Sequence, residues 1–129
     1  MKKMILIIDN NEDMREILCS YLFLLGDFEI HEASNGKHAL ELFKEVSPDL
    51  VFLDLHMPQM DGRQTLTAIR ATKNGCKIPV VVWTVCSEKE VGDPRLAGFD
   101  EYLCKSSTRR APLKGLLEKI GILRAEGLA

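Results

Sequence analysis

An α/β fold, a parallel sheet covered by helices on both faces, is predicted by three features of this chain. Five short apolar runs rich in Val, Ile and Leu, at residues 4–9, 28–33, 50–54, 79–83 and 101–104, alternate with segments of helical period. The run Leu50, Val51, Phe52, Leu53 is apolar at consecutive positions, as in a strand buried on both faces. Two runs end on a carboxylate, Asp9 and Asp54, at the strand edge where open α/β sheets bind their ligands. Right-handed crossovers between parallel strands then place helices on both sides of the sheet.

Between the first two runs, Met14, Ile17, Leu18, Tyr21, Leu22 and Leu25 form one helical stripe that stops at Gly26. Any of Asp9, Asn10 and Asn11 can cap this helix, and Glu12 and Asp13 in its first turn favour its dipole. Ala39, Leu42, Phe43 and Val46 make the face of a second helix, begun near Ser34, Asn35 and Gly36 and ended before Pro48. A third carries Leu66 and Ile69 ahead of Asn74 and Gly75. The helix expected between Trp83 and Phe99 contains Val91, Gly92, Asp93 and Pro94, so it is predicted to be short or broken. The last helix presents Leu113, Leu116, Leu117 and Ile120, and its basic start, Arg109, Arg110 and Lys114, opposes its dipole and reads as a solvated face.

Length and composition narrow the function. At 129 residues the chain is one domain by length, with no Ser- or Gly-rich linker or repeat to mark a second. Its net charge of -2, from 17 basic and 19 acidic residues, gives no general attraction to nucleic acid or anionic lipid. The apolar run after Lys2 and Lys3 is closed by Asp9, too short for a signal-peptide core or membrane span, so a cytoplasmic protein is expected. Cys19, Cys76, Cys86 and Cys104 show neither a CxxC pair nor zinc-ligand spacing, and are expected as reduced, mostly buried thiols.

Parallel strands all end on the same edge, so Asp9, Asp54, Thr84 and Lys105, each just past a predicted strand, should converge. Two carboxylates together favour a bound cation, their oxygens suit Mg2+, and a lysine ammonium suits a phosphoryl oxygen.

The stretches Ile7 to Asn10, Leu53 to Gly62, Val82 to Thr84 and Gly98 to Lys105 resemble, in order and with compatible spacing, the receiver domain of two-component response regulators. The resemblance runs from about residue 2 to residue 123, within a single receiver domain expected to occupy 1–129. It implies a flavodoxin-like, doubly wound five-stranded sheet of order 2-1-3-4-5. It implies that Asp54 takes a phosphoryl group from a sensor histidine kinase or phosphotransfer protein. Mg2+ would be held by Asp9, Asn10, Asp54 and the backbone carbonyl of His56, while Lys105 and the Thr84 hydroxyl would meet phosphoryl oxygens. Tyr102 would be the aromatic switch coupled to Thr84, and His56 and Cys86 would tune attack of water on the acyl phosphate. Partner binding, including a phosphorylation-dependent homodimer, would follow from the switch. Neither direct nucleic-acid nor membrane binding is implied.

Three departures from the family pattern stand out. Asn10 replaces the second of two adjacent acids, a lost charge worth on the order of 1.4 kcal/mol, or about tenfold in Mg2+ affinity. Val85 stands where a small residue is usual and is expected to narrow the pocket. Ser106 replaces a proline in a cis peptide after the lysine, so the loop is either trans or held by surrounding contacts. These departures make a phosphorylation-independent pseudo-receiver, acting as a protein-interaction module, the main alternative; labelling by a phosphodonor separates the two. A flavin or nucleotide binder of the same fold lacks its phosphate-cradling loop, because Asp9, Asn10, Asn11 and Glu12 stand there instead. Zinc held by His56, Cys86 and Asp9 is a further, weaker alternative.

Overall fold

The computed structural model describes residues 2–85 and 98–124. The chain runs β1 (Lys3–Ile8), α1 (Glu12–Leu25), β2 (Phe28–Ala33), α2 (Gly36–Phe43), β3 (Leu50–Leu53), α3 (Gly62–Arg70), β4 (Val80–Thr84), β5 (Glu101–Cys104), a 3-10 turn (Lys105–Ser107) and α4 (Arg110–Lys119). The five strands are parallel in the order β2-β1-β3-β4-β5, as expected from the resemblance. The helix predicted between Trp83 and Phe99, with its break near Pro94, lies outside the described residues.

Alternation along the strands divides the core in two. Leu6, Ile8, Val51, Leu53, Val80 and Val82 face Ala39 and Phe43 of α2 and Leu66 and Ile69 of α3. Ile5, Ile7, Phe52, Val81, Trp83 and Leu103 pack on the opposite face with Leu18 and Leu22 of α1 and Leu113 and Leu117 of α4. β1, β3 and β4 supply both clusters, which is why their sequences are continuously apolar. Each fully buried aliphatic side chain contributes roughly 1.5–3 kcal/mol of transfer free energy, so this two-sided burial is the main force holding the strand ends in place.

Local signals set the helix starts. Asn11, rather than Asp9 or Asn10, caps α1, its side chain accepting the Met14 N–H at 3.1 Å; Asn35 does the same for α2 with His38 at 2.8 Å. Asp61 and Gln64 form a reciprocal capping box at the start of α3. Arg70, at the end of α3, donates to the carbonyls of Gly98, Gly75 and Ile78 and pairs with Asp100 at 2.9 Å. Asp100 also accepts the Val80 N–H at 2.8 Å, so one guanidinium ties together the starts of β4 and β5.

The cysteine expectation needs correction. Cys19 and Cys76 are free thiols, but Cys76 is exposed on the loop after α3, and Cys104 is disulfide-bonded. Cys104 closes β5 opposite Thr84 and is only partly buried. Burial pushes the Cys19 thiol up to about 11, with Glu32 adding to the effect, so it is an unreactive packing residue.

Candidate functional site

The carboxyl ends of β1, β3, β4 and β5 bring four of the predicted residues to one edge. Asp9 is fully buried after β1, Asp54 is 2% exposed after β3, and Thr84, the last residue of β4, is 1% exposed. Lys105 opens the turn after β5, and its ammonium lies 2.6 Å from Asp9 Oδ2 and 3.4 Å from Asp54 Oδ2. Asp9 Oδ1 accepts the Asn11 N–H at 2.9 Å, whereas Oδ2 has no aligned hydrogen-bond donor and meets Lys105 as an ion pair.

Backbone contacts position these groups. The Asp9 N–H donates to Ala33 O and the Asp54 N–H to Ile8 O, extending the β1–β2 and β1–β3 ladders by one step. Arg15 Nη1 donates to the Asp9 carbonyl and its Nε pairs with Glu32 at 3.0 Å, anchoring the first strand end to α1 and β2. A Cβ at Gly62 would lie 2.3 Å from the Asp54 carbonyl oxygen and 2.5 Å from Leu55 Cα, so only glycine lets α3 begin this close to the acid. Between them, Gln59 takes a left-handed φ of 68°, a non-glycine strain in the loop that turns β3 into α3.

Electrostatics make Asp54 the unusual acid. Burial raises its carboxyl above the ordinary carboxylate range and the neighbouring Asp9 raises it further; Lys105 and the His56 backbone N–H pull it back. Two repelling carboxylates, one with an oxygen lacking an aligned donor, fit a hard cation bound through oxygen. Among the described residues no three His, Cys, Asp or Glu side chains cluster, so no all-carboxylate cage forms among them; the zinc alternative needs Cys86, which lies outside the described residues. A cation here would complete its shell with carbonyl oxygens and water. The Thr84 hydroxyl is buried without a hydrogen-bond partner among the described residues, a desolvation cost of about 1–3 kcal/mol that an incoming acceptor oxygen would remove.

The remaining predicted residues are more peripheral. Asn10 and the His56 side chain are exposed, Tyr102 is 48% exposed on β5 beside Val82, and Cys86 lies outside the described residues. Val85, which follows Thr84 at the end of β4, is 67% exposed. The described residues contain no cis peptide: the chain after Lys105 turns through 3-10 geometry closed by the Thr108 N–H to Lys105 O. Sequence reasoning missed Trp83 and Thr108, whose side chains meet at 2.9 Å behind Lys105, and Arg15 beneath Asp9.

No helix among the described residues is long and apolar enough to cross a membrane. Residues 5–116 match the model of the response regulator receiver domain. The chain is 38% identical over 102 residues to the regulatory protein AtoC of Escherichia coli, covering 78% of this chain and 22% of that protein. It is 38% identical over 114 residues to the transcriptional regulatory protein SrrA of Staphylococcus aureus, covering 85% of this chain and 44% of that one. The chain thus spans less than half the length of these relatives. Among solved structures, the response regulator TrrA of Thermotoga maritima, in complex with Mg2+ and BeF, superimposes with a TM-score of 0.81 at 32% identity, over 92% of this chain and 98% of that one. With the sheet order, the strand-edge acids and these likenesses in agreement, the chain belongs to the response regulator receiver domain family of two-component signalling.

Proposed function

We propose that Asp54 is the phosphoacceptor and that residues 2–123 work as one receiver unit, supplied by a sensor histidine kinase or phosphotransfer protein in the cytoplasm. The observation that carries this reading is the Lys105 ammonium meeting both Asp9 and Asp54 at one buried edge, beside the unpartnered Thr84 hydroxyl. One oxygen of ionised Asp54 attacks phosphorus in line while the P–N bond to the donor imidazole breaks, and that bond's electron pair returns to the ring nitrogen. Lys105 exchanges part of its carboxylate contact for a phosphoryl oxygen, and Thr84 donates to another. Asp9, Asn10, Asp54 and the His56 carbonyl would hold Mg2+, which would supply charge neutralisation at the phosphoryl and carboxylate oxygens. The residues otherwise contribute position and charge.

Water slowly attacks phosphorus, breaking the P–O bond to Asp54 and releasing inorganic phosphate and the carboxylate, with His56 and Cys86 setting its access. Movement of Thr84 toward the phosphoryl group frees space for Tyr102, and the altered surface selects the output partner or a second copy of the chain. Amide exchange with and without a beryllofluoride adduct tests the switch. Protection should change across residues 84–110; identical protection with Asp54 demonstrably occupied would favour a module that signals without phosphate.

A further inference from the structure

Lys105 is held from behind by a pair of residues on different elements. Trp83, in β4, is fully buried, and the centre of its ring lies 5.1 Å from the Lys105 ammonium, within the range of cation–π attraction. Its indole Nε1–H donates to Thr108 Oγ1 at 2.9 Å in the interior. Thr108 itself is 7% exposed; its N–H closes the Lys105–Ser107 turn on Lys105 O at 3.2 Å, and its hydroxyl reaches Cys104 O at 3.4 Å. Thr108 therefore fixes both the backbone of the turn and the plane of the ring under the ammonium.

We propose that Trp83, locked by Thr108, is the positioning residue that aims the Lys105 ammonium at Asp9 and Asp54 in a chain whose lysine loop has no cis peptide. The proposal rests on the reading of Lys105 as the phosphoryl partner, although the contact itself can be tested without phosphate. A lysine stem has four rotatable carbons and little intrinsic preference for one direction. The indole face removes that freedom on one side while the two carboxylates define the other. Leucine at position 83 would keep much of the burial and lose both the π face and the N–H donor.

Trp83 is the only tryptophan, so its emission reports directly on its neighbours. Emission of the metal-free protein should change on Lys105→Met and on Thr108→Val, with Thr108→Ser restoring the parent spectrum; unchanged emission in Lys105→Met would overturn the contact. Trp83→Leu and Thr108→Val should lower the rate of labelling by acetyl phosphate about two- to thirtyfold, the range cation–π contacts span from exposed to desolvated sites. Both should also tighten Mg2+ binding by calorimetry, because a lysine released from the carboxylates competes less for them. A merely destabilised fold would weaken Mg2+ binding, and that result, or parent-like labelling in folded Thr108→Val, would overturn the proposal. If the parent takes no label, the phosphoacceptor reading fails by itself, and the emission and Mg2+ measurements still decide the positioning role.

Discussion

Replacing Lys105 by methionine keeps the length of the side chain and removes the cation that, among the described residues, meets both buried carboxylates. At an effective dielectric of about 20, its attraction is ~6 kcal/mol to Asp9 at 2.6 Å and ~5 kcal/mol to Asp54 at 3.4 Å, before the cost of desolvating the ammonium. Most of that gain is offset by desolvation, and breaking a buried set by deleting one partner ordinarily costs about 3–5 kcal/mol. Lys105→Met should therefore lose about that much stability in urea unfolding at neutral pH without Mg2+. Asp54 already sits above the ordinary carboxylate range, and losing Lys105 removes a lowering influence, so its folded-state proton is held more tightly still. The stability deficit is then largest above the raised value and shrinks as pH falls through it, because protonation removes the unpaired charge. Adding Asp54→Asn should recover most of the loss, which a double-mutant cycle would measure as coupling. Parent-like stability of Lys105→Met at neutral pH, or a deficit independent of pH between about 4 and 8, would refute this account of the site.

Asp54→Asn alone should stabilise the protein above about pH 4: a raised carboxyl contributes most when protonated and loses that contribution as pH rises, whereas the amide never ionises. Thermal melts should show the gain at pH 7 and its disappearance near pH 3. Asn10→Asp should tighten Mg2+ roughly tenfold in calorimetry through the added ligand charge, and an unchanged dissociation constant would mean that position 10 does not meet the ion. Gly62→Ala must move α3 off the Asp54 carbonyl, and should cost at least about 1–3 kcal/mol in urea unfolding, the range for overpacking.

The strands, four of the helices and the edge that carries the site were legible from residue period, because each strand places its own side chains on fixed sides. Boundaries moved by a residue where the apolar pattern and the ladder differ: β1 begins at Lys3, and β4 runs from Val80 to Thr84 because Pro79 supplies no N–H. Three adjacent candidates for capping α1 were equivalent in sequence, and only the backbone turn selected Asn11. Trp83 and Thr108 are 25 residues apart on elements that meet only after folding, so each had passed as an ordinary core or loop residue. Arg15 and Arg70 were hidden for the same reason: surface-like residues in a helical pattern, they reach backbone carbonyls across the fold.

Intact mass after incubation with acetyl phosphate and Mg2+ decides whether Asp54 carries the phosphoryl group. The parent protein should gain one phosphoryl mass, lost when Mg2+ is chelated beforehand and absent from Asp54→Asn. Undiminished labelling of Asp54→Asn would place the acceptor elsewhere, and a parent protein that takes no label across donor and metal concentrations would contradict an acceptor role for Asp54.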